Sequence, residues 1–183
     1  MRPVRTTAAL LSASALFALV AAQGASTAVE PGSSRRATPR GLVPHLVIHR
    51  KQGPEVRRLR GGATTHPGDI VQVSYVAAGN HHGVVLSVDG AGAVTLHHPT
   101  RPRDSTAVRP RGEHPLPHAF QLDDAPGFER FFFVTSAQVP IDVEVVLAAA
   151  ERLTLATTIT QTTAALDLPP SLQQRSLLLR KSP

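Results

Sequence analysis

Nine histidines and no cysteine in a chain of 183 residues pose the first chemical question. His81-His82 and His97-His98 bracket two apolar runs, Gly83–Val88 and Ala93–His97, joined through Asp89-Gly90-Ala91-Gly92. If those runs pair as a hairpin, with Val85 or Leu86 opposite Val94 or Leu96, His82 approaches His97 or His98. Imidazoles at that distance, helped by Asp89, Asp123 or Asp124, could hold Zn²⁺ or Cu²⁺. Against this, neighbouring residues of a strand point to opposite faces, so each His-His pair offers one ligand at most. Histidines at a hairpin rim also serve as pH-sensitive hydrogen-bonding groups without any ion. His82, His97 and His98 are the candidate ligands, and the balance is against a resident metal or any other cofactor.

The remaining reactive side chains are weaker candidates. Asp123, Asp124 and Glu129 could form a hydrolytic carboxylate pair, but Asp123-Asp124-Ala125-Pro126-Gly127 reads as a turn whose aspartates accept backbone N–H bonds. Glu129-Arg130 reads as a charge pair on a strand surface. Ser87, Thr95, Thr135 and Ser136 lack the glycines of a nucleophile elbow and a defined base. Gly90 and Gly92 do not stand between a strand and a helix, as a phosphate loop requires. The aromatics from Phe128 to Phe133 suit a core better than a ligand platform. No catalytic residue is identified, and the expectation is a protein that is not an enzyme.

The elements that would position these groups are mostly strands. Leu42–Arg50 offers a first strand that Pro44 confines to an edge or to a start after the proline. Lys51–Gly62 reads as a polar hairpin or loop with Val56 and Leu59 turned inward. After the turn His66-Pro67-Gly68-Asp69, Ile70–Val76 alternates, with Val71, Val73 and Tyr75 on one face and Gln72 and Ser74 on the other. Gly83–Val88 is too continuously apolar for an exposed face and belongs at the centre of a sheet. Its partner turns Val94 and Leu96 inward and Thr95 and His97 outward. Pro99–Pro117 reads as a surface excursion with at most a short edge strand at Ala107–Arg109. Phe128–Ser136 places Phe131 and Phe133 on one face and Phe132 and Val134 on the other, as a strand covered on both sides demands. One helix is expected over 141–153, capped by Asp142, with Val143, Val146, Leu147, Ala150 and Leu153 on its apolar face. Thr154–Thr163 is ambiguous. Leu172–Lys181 reads as an amphipathic tail forming a last edge strand through Leu177-Leu178-Leu179. The fold class is mainly β: an antiparallel β-sandwich-like domain over 41–183 with one C-terminal packing helix.

Ahead of that domain, Arg2 and Arg5 precede a run of small and apolar residues from Ala8 to Ala22. This is the pattern of a signal peptide over 1–28, cleaved near Ala22 to Ala28. The charge-free stretch 6–29 is the competing reading, an anchor in the inner membrane. Residues 29–40 continue a small, polar, proline-punctuated linker that cannot bury enough surface to fold. The domain is thus expected to be periplasmic or secreted. Without cysteine there is no disulfide, so packing must supply its stability. The formal charge is +6, and losing Arg2 and Arg5 leaves +4. The arginines stand mostly beside Pro and Gly in solvated connectors, a poor match for nucleic acid. They suit weak contact with an anionic membrane surface better.

Several blocks carry a family resemblance: Gly68-Asp69 before a strand, Tyr75-Val76-Ala77-Ala78-Gly79, Gly83–Gly90, Gly92–His97, Leu122–Phe131 and Leu168-Pro169-Pro170. In these the chain resembles the ActD-like proteins of myxobacteria and, more loosely, other bacterial exported domains of unassigned function. The resemblance implies an extracytoplasmic domain, commonly behind a membrane-spanning segment and sometimes behind a cytosolic module similar to those of anti-sigma factors. This sequence starts directly at its hydrophobic segment, which weighs against transmembrane signalling, and the family brings no catalytic residue. The expected function is a non-enzymatic binding or regulatory module of the cell envelope, engaging a protein or an envelope component. The alternatives are an envelope metal-binding protein using the hairpin histidines, and a hydrolase of unknown type.

Overall fold

A computed structural model describes residues 42–155 and 164–182. The expected signal peptide or anchor, the linker and most of the threonine-rich stretch, at 156–163, lie outside the described residues. In chain order the elements are β1 (His45–Gln52), β2 (Glu55–Leu59), β3 (Thr64–Thr65), β4 (Ile70–Val76), β5 (His82–Asp89), β6 (Val94–His98), β7 (Glu113–Pro115), β8 (Phe120–Gln121), β9 (Phe128–Ser136), α1 (Val143–Thr154) and β10 (Gln173–Lys181). They form two five-stranded sheets. The first runs β2-β1-β4-β7 with β8 also paired to β4; the second runs β3-β10-β9-β5-β6. All pairings are antiparallel except the short one between β3 and β10. The mainly β, sandwich-like architecture with one helix agrees with the sequence.

Two apolar layers hold it together. Between the sheets, Leu46, Ile48, Val71, Val73 and Tyr75 meet Val85, Phe131, Phe133 and Leu179. Between the second sheet and α1, Val84, Leu86, Val88, Phe132 and Val134 meet Val143, Val146, Ala149 and Ala150. The two-sided burial of β9 follows from its four consecutive large apolar residues, which a strand must distribute to both faces. The helix starts where expected: the Asp142 carboxylate accepts a bond from the Glu144 amide, satisfying a donor that the first turn leaves free.

The turn between β5 and β6 is fixed by Asp89, whose Oδ1 accepts from the amides of Ala91 and Ala93, both at 2.8 Å. Gly90 meets the next turn so closely that a Cβ there would lie 1.5 Å from the Pro126 carbonyl oxygen. This close approach fastens the β5–β6 turn to the turn before β9, with the Gly90 amide donating to the Phe128 carbonyl at 3.0 Å.

Three expectations need correction. Val56 is 50% exposed, whereas Leu59 is buried. Residues three apart in a strand face opposite ways, so the two cannot share an inward face. β1 begins directly after Pro44, one of the two placements expected of it, and is interior, with β2 as the edge. β10 is also interior, because β3 pairs along its far side. The excursion from Pro99 to Pro117 contributes Thr106, Val108 and Leu116 to the interior, and its second half supplies β7.

Candidate functional site

The hairpin that carries the candidate histidines has an irregular register. Leu86 pairs with Leu96 and Val85 pairs with His98, which leaves His97 as the extra residue of a bulge. The bulge cancels the alternation, so both histidines turn toward the layer between the sheets. The His97 ring packs 4.2 Å from that of Phe120 and 5.5 Å from that of Phe131, while the His98 ring lies 6.4 Å from that of Tyr75. The outward orientation expected for His97 is therefore wrong, and so is the premise that a His-His pair must face two ways.

His97 belongs to a polar network at one end of this layer. Its Nε2 lies 2.9 Å from Ser87 Oγ, and the Ser87 hydroxyl also hydrogen-bonds the Glu129 carboxylate. A carboxylate only accepts and a hydroxyl has one proton to give, so Ser87 donates to Glu129 and His97 donates to Ser87 from Nε2. Nδ1 of His97 has no partner. Burial pushes the His97 pKa down to about 4. Glu129 in turn contacts Lys181 at 3.0 Å, and Lys181 also pairs with Asp123. Burial raises the Glu129 pKa, against the opposing pull of Ser87 and Lys181. Burial disfavours the Lys181 ammonium too, but hydrogen bonds and attraction from Asp123 and Glu129 outweigh it and hold Lys181 above its ordinary value.

This network corrects the view of Glu129-Arg130 as a surface pair. Both are buried on opposite faces of β9: Glu129 reaches Lys181, and Arg130 donates to Ser176 Oγ at 3.0 Å. Asp123 accepts from the Ala125 amide as a turn aspartate should, and additionally from Lys181. The aromatics of β9 are core residues.

His82 and His98 converge on a different segment. His82 bridges to Ala107 and its Nδ1 lies 3.2 Å from Thr106 Oγ1, while His98 hydrogen-bonds the Ala107 backbone. Burial lowers the His98 pKa against that bond. Of the three candidate ligands, the structure thus gathers His82 and His98 at one loop and sends His97 to Ser87. Among the described residues no group of three or more His, Asp or Glu is placed to hold an ion.

A second feature escaped the sequence reading. A groove of about 620 Å³ is lined by Arg50, Arg57, Arg58, Arg60, Ala63 and Thr64. It lies where β2, the edge of the first sheet, approaches β3, the edge of the second. Inward positions along β1 read Leu46, Ile48, Arg50, and along β2 they read Leu59, Arg57, so the apolar layer ends in two arginines directly opposite each other. Period-two counting carried two residues past Ile48 and back from Leu59 was the signal available.

No family model, curated protein or solved structure matches the chain. Among the described residues no helix is long and apolar enough to cross a membrane.

Proposed function

We propose that the protein is a non-enzymatic binding or regulatory module of the cell envelope, exported as a periplasmic or secreted domain and akin to the ActD-like proteins. It engages a protein or an envelope component through the surface around β1 and β2. One contrast supports this reading. The side chains that could do chemistry, Ser87, His97 and Glu129, are spent on one another inside, with Ser87 only 1% exposed. The arginines of the β1–β2 end face an open groove on an exposed sheet edge. An interior hydroxyl cannot meet a substrate, whereas an exposed, charged concavity can meet a partner.

The reading is tested by site-specific photocrosslinking in intact envelopes. A crosslinker at Val56, on the exposed edge, should give a discrete adduct, and one at Val145, on the exposed face of α1, should not. Reversed labelling would remove the β1–β2 surface from the proposal. Hydrolysis of ester, peptide or glycan probes that disappeared in Ser87→Ala would replace the binding module by a hydrolase. N-terminal sequencing of exported protein should begin between Gln23 and Val29; a start at Met1 in the membrane pellet would indicate an anchor.

A further inference from the structure

We propose that the groove between β2 and β3 is a binding site for a phosphate-type polyanion, with Arg50 as its fixed guanidinium and Arg57, Arg58 and Arg60 as its adjustable ones. This deepens the binding-module reading and rests on it. The first observation is electrostatic. Arg50 and Arg57 stand directly opposite each other across β1 and β2, an arrangement that costs stability unless something neutralises it. Among the described residues only Arg50 of the four has an ion-pair partner, Asp69, at 3.0 Å. Four guanidiniums against one carboxylate leave three positive charges around one concavity. A monoanion leaves most of that uncompensated; a phosphate group or a short phosphate chain matches it.

The second observation is that the site is built. The Arg50 side chain is only 11% exposed and is held from below: Nη1 bonds Asp69 Oδ2 at 3.0 Å and reaches the Thr64 carbonyl at 3.4 Å. Asp69 is itself fixed by accepting from the His66 amide at 2.9 Å. Nε of Arg50 is buried and has no hydrogen-bond partner. A buried donor left without an acceptor destabilises a folded protein, and an oxyanion reaching it would remove that cost. Guanidinium forks match the geometry of phosphate oxygens. Arg57, Arg58 and Arg60 are exposed, and their long side chains can close on a ligand from the solvent side.

The test titrates the protein with inorganic pyrophosphate, followed by calorimetry and by amide shifts in NMR. Expected is one saturable site that weakens with salt, with the largest shifts at Arg50, Arg57 and Thr64. The double substitution Arg57→Gln and Arg60→Gln, both at exposed positions, should weaken binding at least about tenfold without lowering the melting temperature. Arg101→Gln with Arg103→Gln, which removes the same charge from a distant exposed loop, should leave it unchanged. A second arm uses vesicles of phosphatidylglycerol and phosphatidylcholine. Vesicle binding that pyrophosphate competes away, and that is lost in the Arg57/Arg60 variant, assigns the phosphate to a lipid headgroup. Pyrophosphate binding without vesicle binding assigns it to a soluble or polymer-borne phosphate. Absence of saturable pyrophosphate binding, or equal loss in the Arg101/Arg103 control, overturns the proposal. If pyrophosphate fails while the Val56 crosslink persists, the ligand class falls and the binding module stands; if both fail, both fall.

Discussion

His97 Nε2 lies 2.9 Å from Ser87 Oγ between the two sheets, although the ladder pairs Ser87 with Thr95. The bulge at His97 makes the contact, and the contact fixes the imidazole as a neutral donor in a site where its charged form is disfavoured. The unfolded chain titrates that ring near 6.5 and the folded chain near 4. Below pH 6.5 the unfolded state therefore binds the extra proton, so stability falls as pH drops from 6.5 toward 4. Glu129 works in the opposite direction: its raised value makes the folded state the better proton binder, adding stability as pH falls through that value. The upward shift of Lys181 matters only at alkaline pH.

Comparing the protein with His97→Gln isolates the histidine. Between pH 7 and pH 5 the loss of stability attributable to His97 should be about 2 kcal/mol, seen in urea titrations as a flatter pH dependence for the variant. Parallel curves would show that His97 is not the group titrating.

Lys181 gives a stronger test of the interior network. Its side chain is 2% exposed, with Glu129 beside it. Lys181→Met should cost about 3–5 kcal/mol, because it strands a buried carboxylate. Adding Glu129→Gln should recover a large part of that loss. Additive costs from the two substitutions would mean that they do not act as a pair.

The limits of the sequence show at the same residues. Phe131, Phe132, Phe133 and Val134 are assignable to faces because an unbroken strand obeys period two, and the helix is readable from its cap and apolar spacing. Period two places His97 on the face opposite Leu96, but that face is covered by the other sheet rather than by solvent. His98 is misplaced because a bulge leaves no mark in composition, and one added residue inverts the facing of every later position in the strand. Glu129 and Arg130 look like surface because charge predicts exposure, and the burial of Glu129 depends on Lys181, 52 positions away, arriving on β10. The arginine groove is hidden for a related reason. Its walls come from two sheet edges whose approach is a tertiary fact, while Arg57 and Arg58 by themselves look like an ordinary solvated hairpin.

Gly90 is the position where a single methyl group should do most damage. Gly90→Ala directs a Cβ at the Pro126 carbonyl, so the two turns must separate, at a cost of roughly 2–4 kcal/mol. Gly61→Ala, with nothing within 4 Å of the added carbon, should cost under about 0.5 kcal/mol. Melting temperatures of the two variants provide the comparison, and equal shifts would contradict the packed turn.

Zinc addresses the alternative reading of the histidines. His82 engages Thr106, and although Nδ1 of His97 and Nε2 of His98 have no hydrogen-bond partner, among the described residues no third His, Asp or Glu joins them to complete an ion site. Micromolar Zn²⁺ should leave the melting temperature within about 1 °C of the metal-free value. A rise of several degrees at pH 7 that faded below pH 6 and vanished in His82→Ala would favour an envelope metal-binding protein.

The place of β10 in its sheet governs the order in which the domain can assemble. The strand enters between β3 and β9, and it comes after every other element of the domain in chain order. Until residues 173–181 are available, β9 has β5 on one flank and an open ladder on the other, and the layer between the sheets lacks Leu179. Closure of the second sheet is thus a late event that joins Thr64 to Arg180 across 116 positions of chain. Such a long-range step slows folding relative to local pairing and leaves the layer between the sheets open on the β9 side until β10 has been synthesised.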